Sequence, residues 1–85
     1  MPENNTRKAV VYVRLKDGVL DPQGQTIHKA LLQMGYGDIL SVRSGRFFEL
    51  ELKGEAPDID RQVDEVCRKL LANPVIEKFT VEHME

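Results

Sequence analysis

Lys16-Asp17-Gly18-Val19-Leu20-Asp21-Pro22-Gln23-Gly24 joins a run that reads as a strand to a run that reads as an amphipathic helix. Each end of it carries a physical instruction. Asp17-Gly18 is a turn pair, because Gly takes positive φ freely and an Asp side chain bonds the backbone that follows it. Asp21-Pro22 is a helix start: a carboxylate that accepts from the first unpaired N–H groups, then a residue with no N–H to satisfy. Val19 and Leu20 are apolar in a connector, where polar residues are the norm, so the loop is expected to pack against something. Gly24 falls in the first helical turn, where it weakens the helix, and this points to close approach by another backbone or chain.

Upstream, Val10, Val11, Tyr12 and Val13 mark a strand over residues 7–16. Val11, Val13 and Leu15 share one face of it, and Val10, Tyr12 and Arg14 the other. Downstream, Ile27, Ala30, Leu31 and Met34 recur at i, i+3, i+4 and i+7, a helix with one buried stripe that Gly35-Tyr36-Gly37 ends. Two short strands over residues 39–43 and 46–53 follow, with Ser44-Gly45 as a hairpin turn. In the second of them Phe48, Leu50 and Leu52 face together. After the break at Gly54-Glu55-Ala56-Pro57, Asp58 caps a second helix whose stripe is Ile59, Val63, Val66, Cys67 and Leu70. Arg68 and Lys69 suit the C-terminal end of its dipole, and Asn73-Pro74 stops it. A strand over residues 76–82 closes the chain.

The order strand, helix, strand, strand, helix, strand predicts an α+β, ferredoxin-like βαββαβ fold: one four-stranded antiparallel sheet with two helices on one face. Residues 1–85 read as a single domain, with 1–6 a frayed tail. The sheet face left open would carry Val10, Tyr12, Ile39 and Phe47. That is too apolar a neighbourhood for a lone molecule, so self-association through the sheet or its edges is expected.

Composition narrows the classes of function. The 85 residues hold 12 Lys and Arg against 14 Asp and Glu, a net charge of −2, which argues against nucleic acid as the main partner. No apolar run approaches a membrane span, and Met1-Pro2-Glu3-Asn4-Asn5-Thr6 lacks the blocks of a signal peptide. A single cysteine cannot form an internal disulfide or a multi-thiolate metal site, so a cytoplasmic protein is expected.

Chemistry-bearing residues are few and scattered. Cys67 lies in an apolar stripe and reads as a small core residue. His28 reads as a surface residue of the first helix and His83 as a solvated tail residue, too differently placed for a metal pair or a triad. Turn and cap roles account for Asp17 and Asp21. Lys16, Arg43 and Arg46 read as a solvated rim before they read as an anion cradle. The glycine spacing fits neither a Walker nor a dinucleotide loop. No catalytic, cofactor-binding or metal-binding residue is expected in the chain.

Two long blocks resemble a known family. Leu15-Lys16-Asp17-Gly18-Val19-Leu20-Asp21-Pro22-Gln23-Gly24, followed by Ile27 and Ala30-Leu31, resembles the opening signature of the PurS family. Cys67-Arg68-Lys69-Leu70-Leu71-Ala72-Asn73-Pro74-Val75-Ile76-Glu77 resembles its closing signature, and Val42-Arg43-Ser44-Gly45-Arg46 its central hairpin. The chain departs at Arg46, where a lysine is more usual, and in its longer polar N-terminus. The resemblance implies the small, non-catalytic subunit of phosphoribosylformylglycinamidine synthase, working beside a PurQ glutaminase and a PurL synthetase. That complex, a C–N ligase with glutamine as amido donor, makes formylglycinamidine ribonucleotide from formylglycinamide ribonucleotide, glutamine and ATP in purine biosynthesis. ATP and magnesium would belong to the synthetase, and this chain would hold no cofactor. Its implied work is assembly and ammonia transfer, as a homodimer or dimer of dimers. The expected partner contacts are Lys16, Val19, Leu20 and Gln23 in the opening loop, with Asn73, Pro74 and Val75 at the closing corner.

Other classes share this element order. An ACT-like regulatory module would bind an amino acid at loops between subunits. An acylphosphatase-like enzyme would need an arginine-bearing cradle after the first strand, and the loop there has none. RNA binding has least support, given the charge and the lack of a basic aromatic sheet.

Overall fold

A computed structural model describes residues 6–84. They run β1 (Thr6–Leu15), α1 (Pro22–Gln33), β2 (Gly45–Lys53), α2 (Ala56–Val66), a π-helical turn (Cys67–Leu71) and β3 (Glu77–Met84). Of the tail expected at 1–6, residues 1–5 lie outside the described residues, and Thr6 already belongs to β1.

β1 is the centre of a three-stranded antiparallel sheet ordered β2-β1-β3. Val11 stands opposite Phe48 on one side and Val81 on the other, Ala9 stands opposite Leu50 and Val13 opposite Phe79, so these apolar residues share the inner face. α2 covers that inner face. Ile59, Val63 and Cys67 are buried with Ala9, Val11 and Val13, and Phe48, Leu50, Leu52, Phe79 and Val81 pack at the margin. Each large side chain sealed this way contributes about 1.5–3 kcal/mol through removal from water.

The four-stranded ferredoxin-like plan is not what this chain adopts. Residues 39–43 form no strand, and Ser44-Gly45 is no hairpin turn: Gly45 opens β2, paired with Arg14. The segment is fastened to α1 instead of lying along β2. Ser44 donates its backbone N–H (2.7 Å) and its hydroxyl (2.6 Å) to the Asp21 carboxylate, and the Ile39 carbonyl lies 2.7 Å from His28 Nε2. Two helices on one sheet face is likewise corrected. α1 buries only Gly24, and of its expected buried stripe Ile27 is 41% and Met34 66% exposed.

The ends of α1 follow the sequence. Asp21 is the N-cap, its side chain accepting from Gly24 N–H at 3.1 Å, and Pro22 opens the helix. Gly35, at φ +100°, supplies the left-handed residue of a paired C-terminal stop: Tyr36 N–H donates to Leu31 O and Gly35 N–H to Leu32 O. The second helix departs from expectation at both ends. Glu55 stands at its N-cap without a side-chain bond, and Asp58 sits in the first turn, where its charge still favours the helix dipole. At the other end the π turn, closed by Ala72 N–H to Cys67 O at 3.0 Å, takes one residue more than an α turn. It seals Cys67 and Ala72 in the core and leaves Val66 and Leu70 outside, so the buried stripe is Ile59, Val63 and Cys67.

Candidate functional site

Three connectors meet where β1 ends and β2 and β3 begin. Lys16 N–H donates to Ile76 O at 2.8 Å, which ties the opening loop to the closing corner. Arg43 reaches in from the third connector and donates to Leu15 O at 3.0 Å. The opening loop is the turn its sequence prescribes, with Val19 N–H donating to Lys16 O at 3.1 Å and Gly18 at φ +88°.

Asp21 is the hub of this end. It is 7% exposed and accepts from Gly24 N–H, Ser44 N–H and the Ser44 hydroxyl. The Ser44 hydroxyl, then the two backbone donors, hold its carboxyl below the usual carboxylate value. A Cβ on Gly24 would fall 2.5 Å from Asp21 Oδ2 and 2.6 Å from the Val42 carbonyl oxygen. Val42 is thus the close backbone that the glycine foretells.

The closing corner has its own clamp. Arg46 forks onto Glu77 at 2.7 and 3.0 Å and also donates to Leu71 O at 2.8 Å. Glu77 in turn accepts from Asn73 N–H at 2.8 Å, while the Asn73 side chain accepts from Val75 N–H at 3.0 Å. The Arg46 side chain first, and the Asn73 backbone after it, lower the Glu77 pKa. Lys16, Arg43 and Arg46 therefore do not converge on one anion, because Arg46 is committed to Glu77.

The expected partner contacts gather at this end. Lys16, Gln23, Asn73 and Pro74 are exposed and Val19 is half-buried, while Leu20 stands 62% and Val75 78% exposed. Gln23 also lines a shallow groove of about 290 Å³ with Arg14, Asp21, Ser44 and Glu77. Of the expected oligomer face, Val10, Tyr12 and Phe47 share the outer sheet face, with the Tyr12 and Phe47 rings 6.2 Å apart. Ile39 does not join them, since it lies on the connector beside His28. Val10 is buried between its cross-strand neighbours Glu49 and Glu82, and Glu82 accepts from the Tyr12 hydroxyl at 3.0 Å and raises its pKa.

Sequence reasoning gave Ser44 only a place in a hairpin turn, gave the Glu77 side chain no role, and read Arg46 as a solvated rim. Ser44 lies 23 positions from Asp21 and Arg46 31 from Glu77, so no local pattern announces either pair. Cys67 is buried as expected, and burial, with Asp64 second, pushes its thiol pKa up. Such a thiol stays protonated at neutral pH and is a poor nucleophile. Among the described residues no cluster of His, Cys, Asp and Glu is placed to hold a metal ion, and no helix is long and apolar enough to cross a membrane.

Residues 8–85 match the family described as PurS, phosphoribosylformylglycinamidine (FGAM) synthase. The chain is 47% identical, over 75 residues, to the phosphoribosylformylglycinamidine synthase subunit PurS of Bacillus subtilis (strain 168), covering 88% of this chain and 89% of that one. A solved structure of B. subtilis PurS superposes with a TM-score of 0.83 at 46% identity, over 93% of this chain and 99% of that one. A chain in the structure of PurLQS from Thermotoga maritima superposes with a TM-score of 0.84 at 29% identity, over 99% of this chain and all of that one (100%).

Proposed function

The chain belongs to the PurS family, and from that premise we propose that it is the small subunit of phosphoribosylformylglycinamidine synthase and acts by shape and adhesion, without reacting groups of its own. Its partners are the PurL and PurQ subunits. The observation that carries this reading is the end-to-end likeness, over 99% of the chain, to a component of a PurLQS assembly. An amino-acid-sensing ACT-like role finds no relative among those matched.

The side chains fit a scaffold. The glutaminase step needs an activated thiolate, and the one cysteine here is sealed in the core with its pKa raised. Asp21, the one buried carboxylate among the described residues, accepts from three donors and is committed to holding two connectors together. Glutamine hydrolysis and the ATP- and magnesium-dependent step therefore fall to the glutaminase and synthetase subunits. This chain's work is to bridge them and to help ammonia pass from one to the other. The connector end carrying Lys16, Val19, Leu20, Gln23, Asn73, Pro74 and Val75 is the bridging surface. The outer sheet face of Val10, Tyr12 and Phe47 serves contact between copies, and the setting is the cytoplasm.

Reconstitution tests the reading. Purified PurL and PurQ subunits, supplied with glutamine, ATP and formylglycinamide ribonucleotide, should form product with this chain and little without it. Equal rates in its absence would sink the proposal, as would turnover by the isolated chain.

A further inference from the structure

Where β1 runs into the opening loop, a shallow groove of about 300 Å³ lies between Tyr12, Arg14, Arg43, Gly45, Arg46 and Phe47. None of the residues lining it is acidic. Four other grooves on the described residues each carry at least one carboxylate, as suits a chain of net charge −2. Arg14 is the unusual member. Its cross-strand neighbours are Gly45, which has no side chain, and Lys78, which has the same charge and leans toward Asp17 at 3.9 Å. Arg14 itself makes no ion pair among the described residues. Like charges set side by side on a sheet cost stability, so this cation lacks the neighbour that a purely structural placement would give it.

We propose that this groove binds a nucleoside monophosphate, with the phosphate held between Arg14 and Arg43 and the base laid on Phe47. Arg43 is anchored beside Arg14 by its bond to Leu15 O at 3.0 Å, which uses one of its several N–H donors. Arg46 is neutralised by Glu77, and the Asp21 carboxylate behind Ser44 is filled by the Ser44 and Gly24 donors. Arg14 and Arg43 are therefore the charges left for a ligand. Two planar guanidiniums in one concavity match the oxygens of a phosphate, which accept paired N–H bonds. Gly45 keeps the floor beside Arg14 open, since a Cβ there would fall 2.6 Å from the Val13 carbonyl oxygen. The aromatic wall favours a nucleotide over a bare anion. Phe47 is 59% exposed and the Tyr12 ring stands 6.2 Å away, tilted by 47° and not stacked on it. An open aromatic ring of this kind accepts any base, because every base has a π face.

Charge fixes which way the ligand lies. Glu49 and Glu82 flank Val10, two residues back along β1, and Glu82 holds the Tyr12 hydroxyl at 3.0 Å. That end repels a phosphate and the Arg14 end attracts it, so the phosphate points toward the connectors and the base lies over the sheet. The volume is at the low end of small-molecule sites, about 300–1,000 Å³, which suits a single nucleotide. The contact between copies assigned above covers the middle of the same face, and Phe47 stands at the boundary of the two.

The inference goes beyond the scaffold role, and its test uses the isolated full chain without PurL or PurQ. Calorimetry at low salt, with AMP, inorganic phosphate and adenosine as probes, should give one AMP per chain with a Kd of about 1 mM or tighter. Phosphate should bind roughly tenfold more weakly, for want of a base to stack, and adenosine should give no heat. The amide resonances of Arg14, Gly45 and Phe47 should shift as AMP is added. Arg14→Ala, which removes no ion pair, should weaken AMP and phosphate alike by roughly tenfold. Phe47→Leu keeps an apolar side chain on the sheet but loses the flat ring, so it should bring AMP to the level of phosphate and leave phosphate unchanged. Lys53→Ala, the same loss of charge at the far end of β2, should change neither. Absence of heat and of resonance shifts with AMP overturns the proposal. AMP binding no tighter than phosphate does so as well, and so does an equal loss from Lys53→Ala and Arg14→Ala, the mark of diffuse attraction to charge. Each of these failures leaves the role beside PurL and PurQ standing, because that role is read from reconstitution and not from ligand binding.

Discussion

At the scale of single residues, Asp21 shows how one side chain can set the course of the chain. Its capping role is legible in Asp21-Pro22, because a cap is a local device. Its second role, gripping Ser44, is not legible, because nothing near either residue signals a partner 23 positions away. The consequence is a pH dependence with a definite sign. Folding lowers the Asp21 pKa below its ordinary 3.8, so its contribution is complete above that value and drains away as acid takes the pH down through the folded pKa. Urea midpoints taken across pH 2–5 should fall steeply on the acid side for the wild type. For Asp21→Asn they should fall less steeply from a lower plateau, and identical acid limbs would refute the assignment. Gly24 gives a sharper test, because two effects oppose each other. Alanine favours a helix by about 1 kcal/mol over glycine. Its Cβ, however, would sit 2.6 Å from a backbone oxygen that cannot step aside. The clash wins, so Gly24→Ala should melt several degrees below wild type, and a rise in Tm would show that Val42 does not approach.

At the scale of elements, what the sequence conceals is how pieces are fastened. β1, β2, β3 and both helices could be read from alternation, heptad-like stripes, capping residues and the Asn73-Pro74 stop. The strand expected over residues 39–43 has the right residue types, but propensity is a weak prior that tertiary contacts override, and here Asp21 and His28 hold the segment to α1. The π turn is equally silent. Cys67, Leu70 and Leu71 are compatible with a continuing α-helix, and only the packed molecule shows which of them turns inward. The Arg46–Glu77 clamp joins the start of β2 to the start of β3, so losing it should loosen the corner at residues 73–76. The Arg46 side chain is about half exposed, so solvent screening reduces the worth of the pair to the order of 1 kcal/mol. A loss of that size in a domain this small lowers Tm by roughly 4–8 °C. Arg46→Ala should show it, together with faster amide exchange at Val75 and Ile76. Arg46→Lys should recover only part, since an ammonium cannot fork across both Glu77 oxygens and reach Leu71 O as well. Unchanged exchange at the corner would remove the clamp from the account.

At the scale of the molecule, the question is what an unpacked apolar surface is for. The chain buries one face of its sheet with one helix and leaves apolar side chains at the connector end, on the outer sheet face and along α1. That distribution suits a component built to be covered. Leu20 and Val75 bring the argument to a measurement. Each stands mostly in solvent on a connector, Leu20 next to the turn that Val19 N–H closes onto Lys16 O and Val75 with its N–H donated to the Asn73 side chain. Replacing either with serine removes apolar area without disturbing a core contact or a hydrogen bond. Surface changes of this kind move stability by no more than about 0.5 kcal/mol. If the surface is instead a contact with PurL or PurQ, each substitution forfeits the burial of one aliphatic side chain, about 1.5–3 kcal/mol, which is a tenfold or greater weakening of association. The double variant Leu20→Ser with Val75→Ser should therefore melt close to wild type and yet be lost from co-purification with the two larger subunits. Wild-type recovery at matched concentrations would place the bridging surface elsewhere on the chain.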